Sequence, residues 1–106
     1  MAKYLLQASY TAEGAKGLLK DGGSKRRAAV EEAIKSVGGK VDAVYYALGE
    51  HDAYVIVDLP DHVAITAVSL TVNSSGAVRV KTTVLMTPEE VDQAVRKTVK
   101  YRAPGK

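Results

Sequence analysis

The chain predicts an α+β domain whose elements run β-α-β-β-α-β, with one further helix at the C-terminal end. Three observations carry this reading. Apolar residues alternate with period two in four short stretches, as in half-buried strands. Between them lie stretches with helical spacing, the clearest placing Val30, Ala33, Ile34 and Val37 on one side. Glycine pairs at Gly22-Gly23 and Gly38-Gly39, a Pro60-Asp61 step and a Thr87-Pro88-Glu89-Glu90 step punctuate the chain where elements should start or stop.

Lys3 to Tyr10 predicts the first strand, with Tyr4, Leu6, Ala8 and Tyr10 on one face and Leu5, Gln7 and Ser9 on the other. Thr11 is placed to cap a short helix over Ala12 to Lys20, which the adjacent glycines stop. Ser24 is then the expected cap of a longer helix over Lys25 to Val37, ended by Gly38-Gly39. The second strand is expected over Lys40 to Leu48, with Val41, Ala43 and Tyr45 opposed to Val44, Tyr46 and Leu48. Ala53 to Val57 reads as the third strand, so Gly49-Glu50-His51-Asp52 lies in or beside a hairpin. Asp61 can cap a helix over Val63 to Val72, Gly76 marks a turn, and Val78 to Leu85 forms the fourth strand. Thr87 as cap, Pro88 at the first helical position and Glu90 at the third then announce the final helix, expected over 88–101. This order is that of a ferredoxin-like antiparallel sheet with both crossover helices on one face.

At 106 residues the chain fits one domain, 1–106, large enough to fold without metal or disulfide staples. The absence of Cys excludes thiolate chemistry, and no apolar stretch approaches the roughly 20 residues of a membrane helix. With no apolar signal-peptide core at Met1-Ala2-Lys3-Tyr4, a cytoplasmic location is expected. Fifteen Lys and Arg against twelve Asp and Glu is a mild basic excess. It is spread along the chain, which argues against nucleic acid as a partner. All six aromatic rings are Tyr, so each buried ring brings a hydroxyl that needs a partner.

Gly38-Gly39, a strand with Tyr45-Tyr46, the Leu48-Gly49-Glu50-His51-Asp52 step, a β-rich strand and Pro60-Asp61 together resemble the GYD domain family. That family is named for a Gly-x-Tyr-Asp pattern, which here corresponds to Gly49-Glu50-His51-Asp52 with His51 at the Tyr position. An Arg near the start of the first long helix is also similar to the family pattern; Arg26 fits better counting back from Gly38, with Arg27 the alternative. The resemblance covers residues 3–90 and leaves the last helix as an extension. It implies a ferredoxin-like fold related to the dimeric α/β-barrel proteins, with no generally established activity.

Two segments carry candidate chemistry. His51 and Asp52 are the candidate catalytic pair, His51 because its ordinary pKa lies near neutrality, although neighbouring strand residues converge only if the chain bulges there. The competing reading is turn chemistry, with Gly49 supplying the backbone freedom and Asp52 bonding nearby amides. Gly22-Gly23-Ser24-Lys25-Arg26-Arg27 is the better candidate for ligand capture, because helix-start amides and a guanidinium suit an anion. Its competing reading is a solvated helix start. Arg26 and Arg27 are therefore the candidate ligand-binding cations, with Tyr45 and Tyr46 as candidate walls. Neither His has a partner at a recognised metal-ligand spacing, and nothing in the sequence calls for a metal or cofactor. Both faces of the inner strands are apolar although one helix layer is expected, so a homo-oligomer covering the open face follows. The leading expectation is a homo-oligomeric protein that binds a small anionic or aromatic ligand. A cofactor-independent monooxygenase- or isomerase-like enzyme and a structural or regulatory subunit are the alternatives.

Overall fold

The computed structural model describes residues 1–106, and its elements are β1 (Ala2–Tyr10), α1 (Ala12–Asp21), α2 (Gly23–Ser36), β2 (Lys40–Tyr46), β3 (Ala53–Leu59), α3 (His62–Ser74), β4 (Val78–Leu85) and α4 (Pro88–Val95). The strands form one four-stranded sheet in the order β2-β3-β1-β4, and every neighbouring pair is antiparallel. The chain is thus a mixed α+β fold with the expected succession of elements.

The sheet is organised by its two central strands. Tyr4, Leu6 and Ala8 of β1 stand opposite Val57, Val55 and Ala53 of β3, and all six are buried. The intervening residues, Leu5, Gln7, Tyr54 and Ile56, turn to the other face, as strand alternation requires. Ile34 of α2 and Ile65 and Val68 of α3 complete the buried cluster, which fixes both helices on the Tyr4 face. Tyr4 is wholly buried, and its hydroxyl lies 2.8 Å from His62 Nδ1 at the start of α3. The partner that a buried phenol needs is supplied by the first residue of the second crossover helix.

Most of the punctuation acts as read. Thr11 Oγ1 accepts from Gly14 N–H, Asp61 Oδ1 from Ala64 N–H, and Thr87 forms a reciprocal capping box with Glu90. Four expectations change. Ser24 does not cap α2: Gly22, at φ 82°, turns the chain by itself, so the helix begins at Gly23 and Ser24 falls inside its first turn. The second strand ends at Tyr46, short of Leu48. A bulge at Asp42 shifts the register, pairing Val41 with Val57 and Ala43 with Ile56. Val41 therefore shares the helix-covered face with Val44 and Tyr46, not the face of Ala43 and Tyr45. Finally, α4 ends at Val95 instead of reaching residue 101, because no element packs substantially against it and a short solvated helix is marginal.

Gly14 shows how closely α1 is seated. A Cβ at this position would lie 1.9 Å from the Ala77 carbonyl oxygen, whereas one at Gly17 would meet nothing within 4 Å. Gly14→Ala is expected to destabilise the protein by about 2 kcal/mol or more, because backbone must move to admit the methyl group. Gly17→Ala in the same helix should be neutral or stabilising by up to ~1 kcal/mol. Urea unfolding of the two variants checks the contrast; equal stabilities would refute this seating of α1.

Candidate functional site

The buried strip of the sheet tapers. At one end it carries Tyr4, Val57 and Leu59; at the other the facing residues are Ala8 and Ala53. Where the side chains become small the helices cannot close down, and a cleft of about 120 Å³ remains between the sheet, α2 and α3. Its walls are apolar, with Ala29 and Ala33 from α2, Val68 and Val72 from α3, and Ala8 and Ala53 from the floor. Arg26 is its only charged lining residue, and Tyr10 and Tyr46 stand beside it at the rim.

Each rim residue is positioned by a separate local feature. Tyr10 is the last residue of β1, and its backbone N–H donates to Asp52 Oδ2 at 2.8 Å. Tyr46 is the last residue of β2, and its hydroxyl donates to the Gly23 carbonyl at 3.0 Å, tying the strand end to the start of α2. Its ring also occupies the space a Cβ on Gly23 would need, with 3.1 Å to Tyr46 Cε2, so glycine at the helix start makes room for the phenol. Arg26 lies in the first turn of α2 and, unlike its exposed neighbour Arg27, is partly covered. Burial pushes the Tyr10 phenol above its ordinary pKa, and Tyr46 beside it adds to the shift; the Arg26 guanidinium opposes both. A cation and two phenols thus share one edge of an otherwise apolar cleft.

The other candidates separate. Asp52 belongs to this end of the molecule: its carboxylate holds Tyr10, its N–H donates to the Ala8 carbonyl at 2.8 Å, and its carbonyl accepts from Ala47 N–H at 2.8 Å. It also borders a shallower groove beside the cleft, shared with Tyr10, Tyr46 and Leu18. His51 points the other way. Its Nδ1 lies 3.2 Å from Ser9 Oγ and its ring meets Tyr54 edge-on at 5.9 Å, so it sits on the helix-free face. The sheet separates His51 from Arg26, and the two halves of the adjacent pair do not converge. Tyr45 pairs with Tyr54 on the helix-free face and is 69% exposed, leaving Tyr46 as the tyrosine of the cleft. Tyr10 was not singled out from the sequence. Its signal was present, since it ends the strand face begun by Tyr4, Leu6 and Ala8 and must emerge where that face stops being covered.

A second polar cluster lies on the helix-free face. Lys3 bridges Asp42 and Asp58, at 3.0 Å to the latter, with Lys40 4.0 Å from each carboxylate. The two carboxylates raise the pKa of Lys3, and Lys3 lowers that of Asp42. Lys40 is exposed and Lys3 and Asp42 are partly so, which limits what the network contributes to stability, while Asp58 is the most covered of the four.

These features define a class: a small α+β domain with one antiparallel sheet and an apolar cleft whose mouth carries an arginine and two tyrosines. The GYD domain family model matches residues 4–95, and the chain belongs to that family. No curated protein and no solved structure matches it. No helix is long and apolar enough to cross a membrane.

Two measurements probe the rim. Asp52→Ala should cost about 1–3 kcal/mol in chemical denaturation because it strands the Tyr10 N–H, while Asp52→Asn, which keeps an acceptor, should retain most of that stability. Equal losses in both variants would point to charge instead of hydrogen bonding. The raised pKa of Tyr10 means the folded state holds this proton more tightly than the unfolded chain. Its stabilising contribution is present below the ordinary tyrosine value of about 10 and is lost as pH rises through the folded value. Spectrophotometric titration of the native protein should show a phenol ionising late, and Tyr10→Phe should remove that phase.

Proposed function

We propose that this GYD-family protein is a homo-oligomeric binding protein for a small amphipathic anion, such as an aromatic or short-chain carboxylate. The carrying observation is the lone charge of Arg26 at the rim of an apolar cleft, beside the Tyr10 hydroxyl, which can donate to an anion, while the Tyr46 hydroxyl donates to the Gly23 carbonyl. Size supports the class. An apolar cavity of about 150 Å³ can hold benzene, so ~120 Å³ suits one ring or a short alkyl chain. In this reading the apolar body lies over Ala8 and Ala53, the anionic head meets Arg26, Tyr10 orients it by donating a hydrogen bond, and the Tyr46 ring forms a wall. Asp52 positions Tyr10 from outside the cleft.

The strand order β2-β3-β1-β4 and the two helical crossovers support assigning the fold to the ferredoxin-like class. Self-association is proposed through the helix-free face. Leu5, Tyr54 and Ile56 form a half-buried apolar centre there, on the face opposite the one that α2 and α3 cover, and such patches favour a partner. The enzyme alternative, with His51 as general base, draws less support, because His51 faces away from the cleft.

A calorimetric and thermal-shift comparison of benzoate and hexanoate with toluene and hexanol tests the reading. The carboxylates should bind more tightly than the neutral analogues. Arg26→Ala should weaken carboxylate binding by about tenfold or more, corresponding to one charge-assisted contact of ~1.4 kcal/mol. Arg27→Ala and His51→Ala should leave affinity unchanged. Failure of both carboxylates to bind at millimolar concentration, or equal affinity in wild type and Arg26→Ala, would sink the assignment.

A further inference from the structure

The segment that follows β4 is built as a separate arm. Only Met86 and Thr87 join the strand to α4, and the junction is stiff. Thr87 Oγ1 accepts from Glu90 N–H at 3.1 Å, Glu90 Oε1 accepts from Thr87 N–H at 2.9 Å, and Pro88 fixes the first helical position. The arm does not rejoin the body. No α4 residue is buried, and the helix makes no substantial packing contact with another element. The molecule accordingly measures 57 × 32 × 23 Å, with a radius of gyration of 16.9 Å. About 13 Å is usual for a compact domain of this length. Yet the arm carries an apolar series, Val91, Val95, Val99 and Tyr101, of which the last three are more than three-quarters exposed.

We propose that this arm clasps a second copy of the chain along the β4 margin of its helix-free sheet face. The inference rests on the self-association proposed above and adds the element that secures it. Charge complementarity identifies the occupant. The β4 residues aligned with Ser9 and Gln7 are Arg79 and Lys81, so both cations lie on the helix-free face. Neither has a carboxylate within 4.0 Å, because every ion pair lies among Lys3, Lys40, Asp42 and Asp58. Glu89 and Asp92 on the arm are equally without a cation, and as an i,i+3 pair they share one face of α4 beside the Val91 and Val95 stripe.

The arm cannot satisfy these charges on its own sheet. Folded back along β4, α4 would begin near Leu85, leaving Glu89 and Asp92 at the wrong end. Lys81 lies about 14 Å from Leu85 along the strand, and Arg96 lies ~12 Å from Pro88 along the helix, so like charges would meet. An arm arriving from a second copy can run in the opposite sense, placing Glu89 and Asp92 on Arg79 and Lys81 and setting Val91 and Val95 towards Leu5 and Leu85. Donated by both copies, the contact is self-complementary and closes on a two-fold axis.

Analytical ultracentrifugation of the full-length protein over a dilution series provides the test, with circular dichroism confirming that each variant is folded. Wild type should dimerise in the micromolar range. Val91→Asp with Val95→Asp should raise the dissociation constant by about 100-fold, since buried apolar anchors dominate such contacts. Glu89→Lys with Asp92→Lys should raise it by roughly tenfold, and adding Arg79→Glu with Lys81→Glu should restore it. A dimer whose dissociation is unchanged in the arm variants, or not rescued by the double reversal, overturns the clasp alone. A wild-type chain that remains monomeric overturns the clasp together with the self-association reading. Ile56→Asp, on β3 away from the β4 margin, should also weaken the dimer and reports on the sheet face independently of the arm.

Discussion

The pairing of β1 with β3 is the contact on which the rest of the molecule depends. Its register, from Ala2 opposite Leu59 to Ala8 opposite Ala53, brings two apolar rows onto the same face. That double row is the surface to which Ile34, Ile65 and Val68 attach the helices. A slip of one residue would turn Tyr4, Leu6 and Ala8 out to the helix-free side and leave the helices without a floor. The Tyr4–His62 hydrogen bond reinforces the register, because it joins the first strand to the start of α3 across the sequence.

The cleft is a consequence of side-chain volume along this double row. Large residues meet at the Tyr4 end and small ones at the Ala8 end, so the helices are held closely at one end and apart at the other. Without Phe or Trp, the chain fills the open end only with tyrosines, whose hydroxyls must reach water or a polar partner. Tyr46 reaches the Gly23 carbonyl and Tyr10 lies beside Arg26, which places polar groups at the cleft mouth while the floor stays apolar. Packing and site chemistry therefore share one origin.

Asp52 ties this site to the family motif. Gly49, at φ 143°, lets the chain leave β2 and re-enter β3, and Asp52 then anchors the loop to both Ala8 and Tyr10. The motif's acidic residue thereby holds the rim of the cleft from behind. His51, one residue earlier, is directed to the opposite face by the same strand geometry.

Local pattern was enough for the sequence to determine the succession of elements, the helix caps at Thr11, Asp61 and Thr87, and the buried faces of β1 and β3, because each depends on residues near one another in the chain. The motif identifying the family was legible for the same reason, as was the candidacy of Arg26. What needed tertiary structure was decided by contacts between distant segments. The bulge at Asp42 reversed the face of Val41, since register is a property of two strands and not one. The choice of Tyr46 over Tyr45, the entry of Tyr10 and the parting of His51 from Asp52 all follow from which sheet face the helices cover. The early end of α4 had the opposite cause: its period continues in the sequence, but no element of its own chain packs substantially against it, and a helix with no buried residue is not extended.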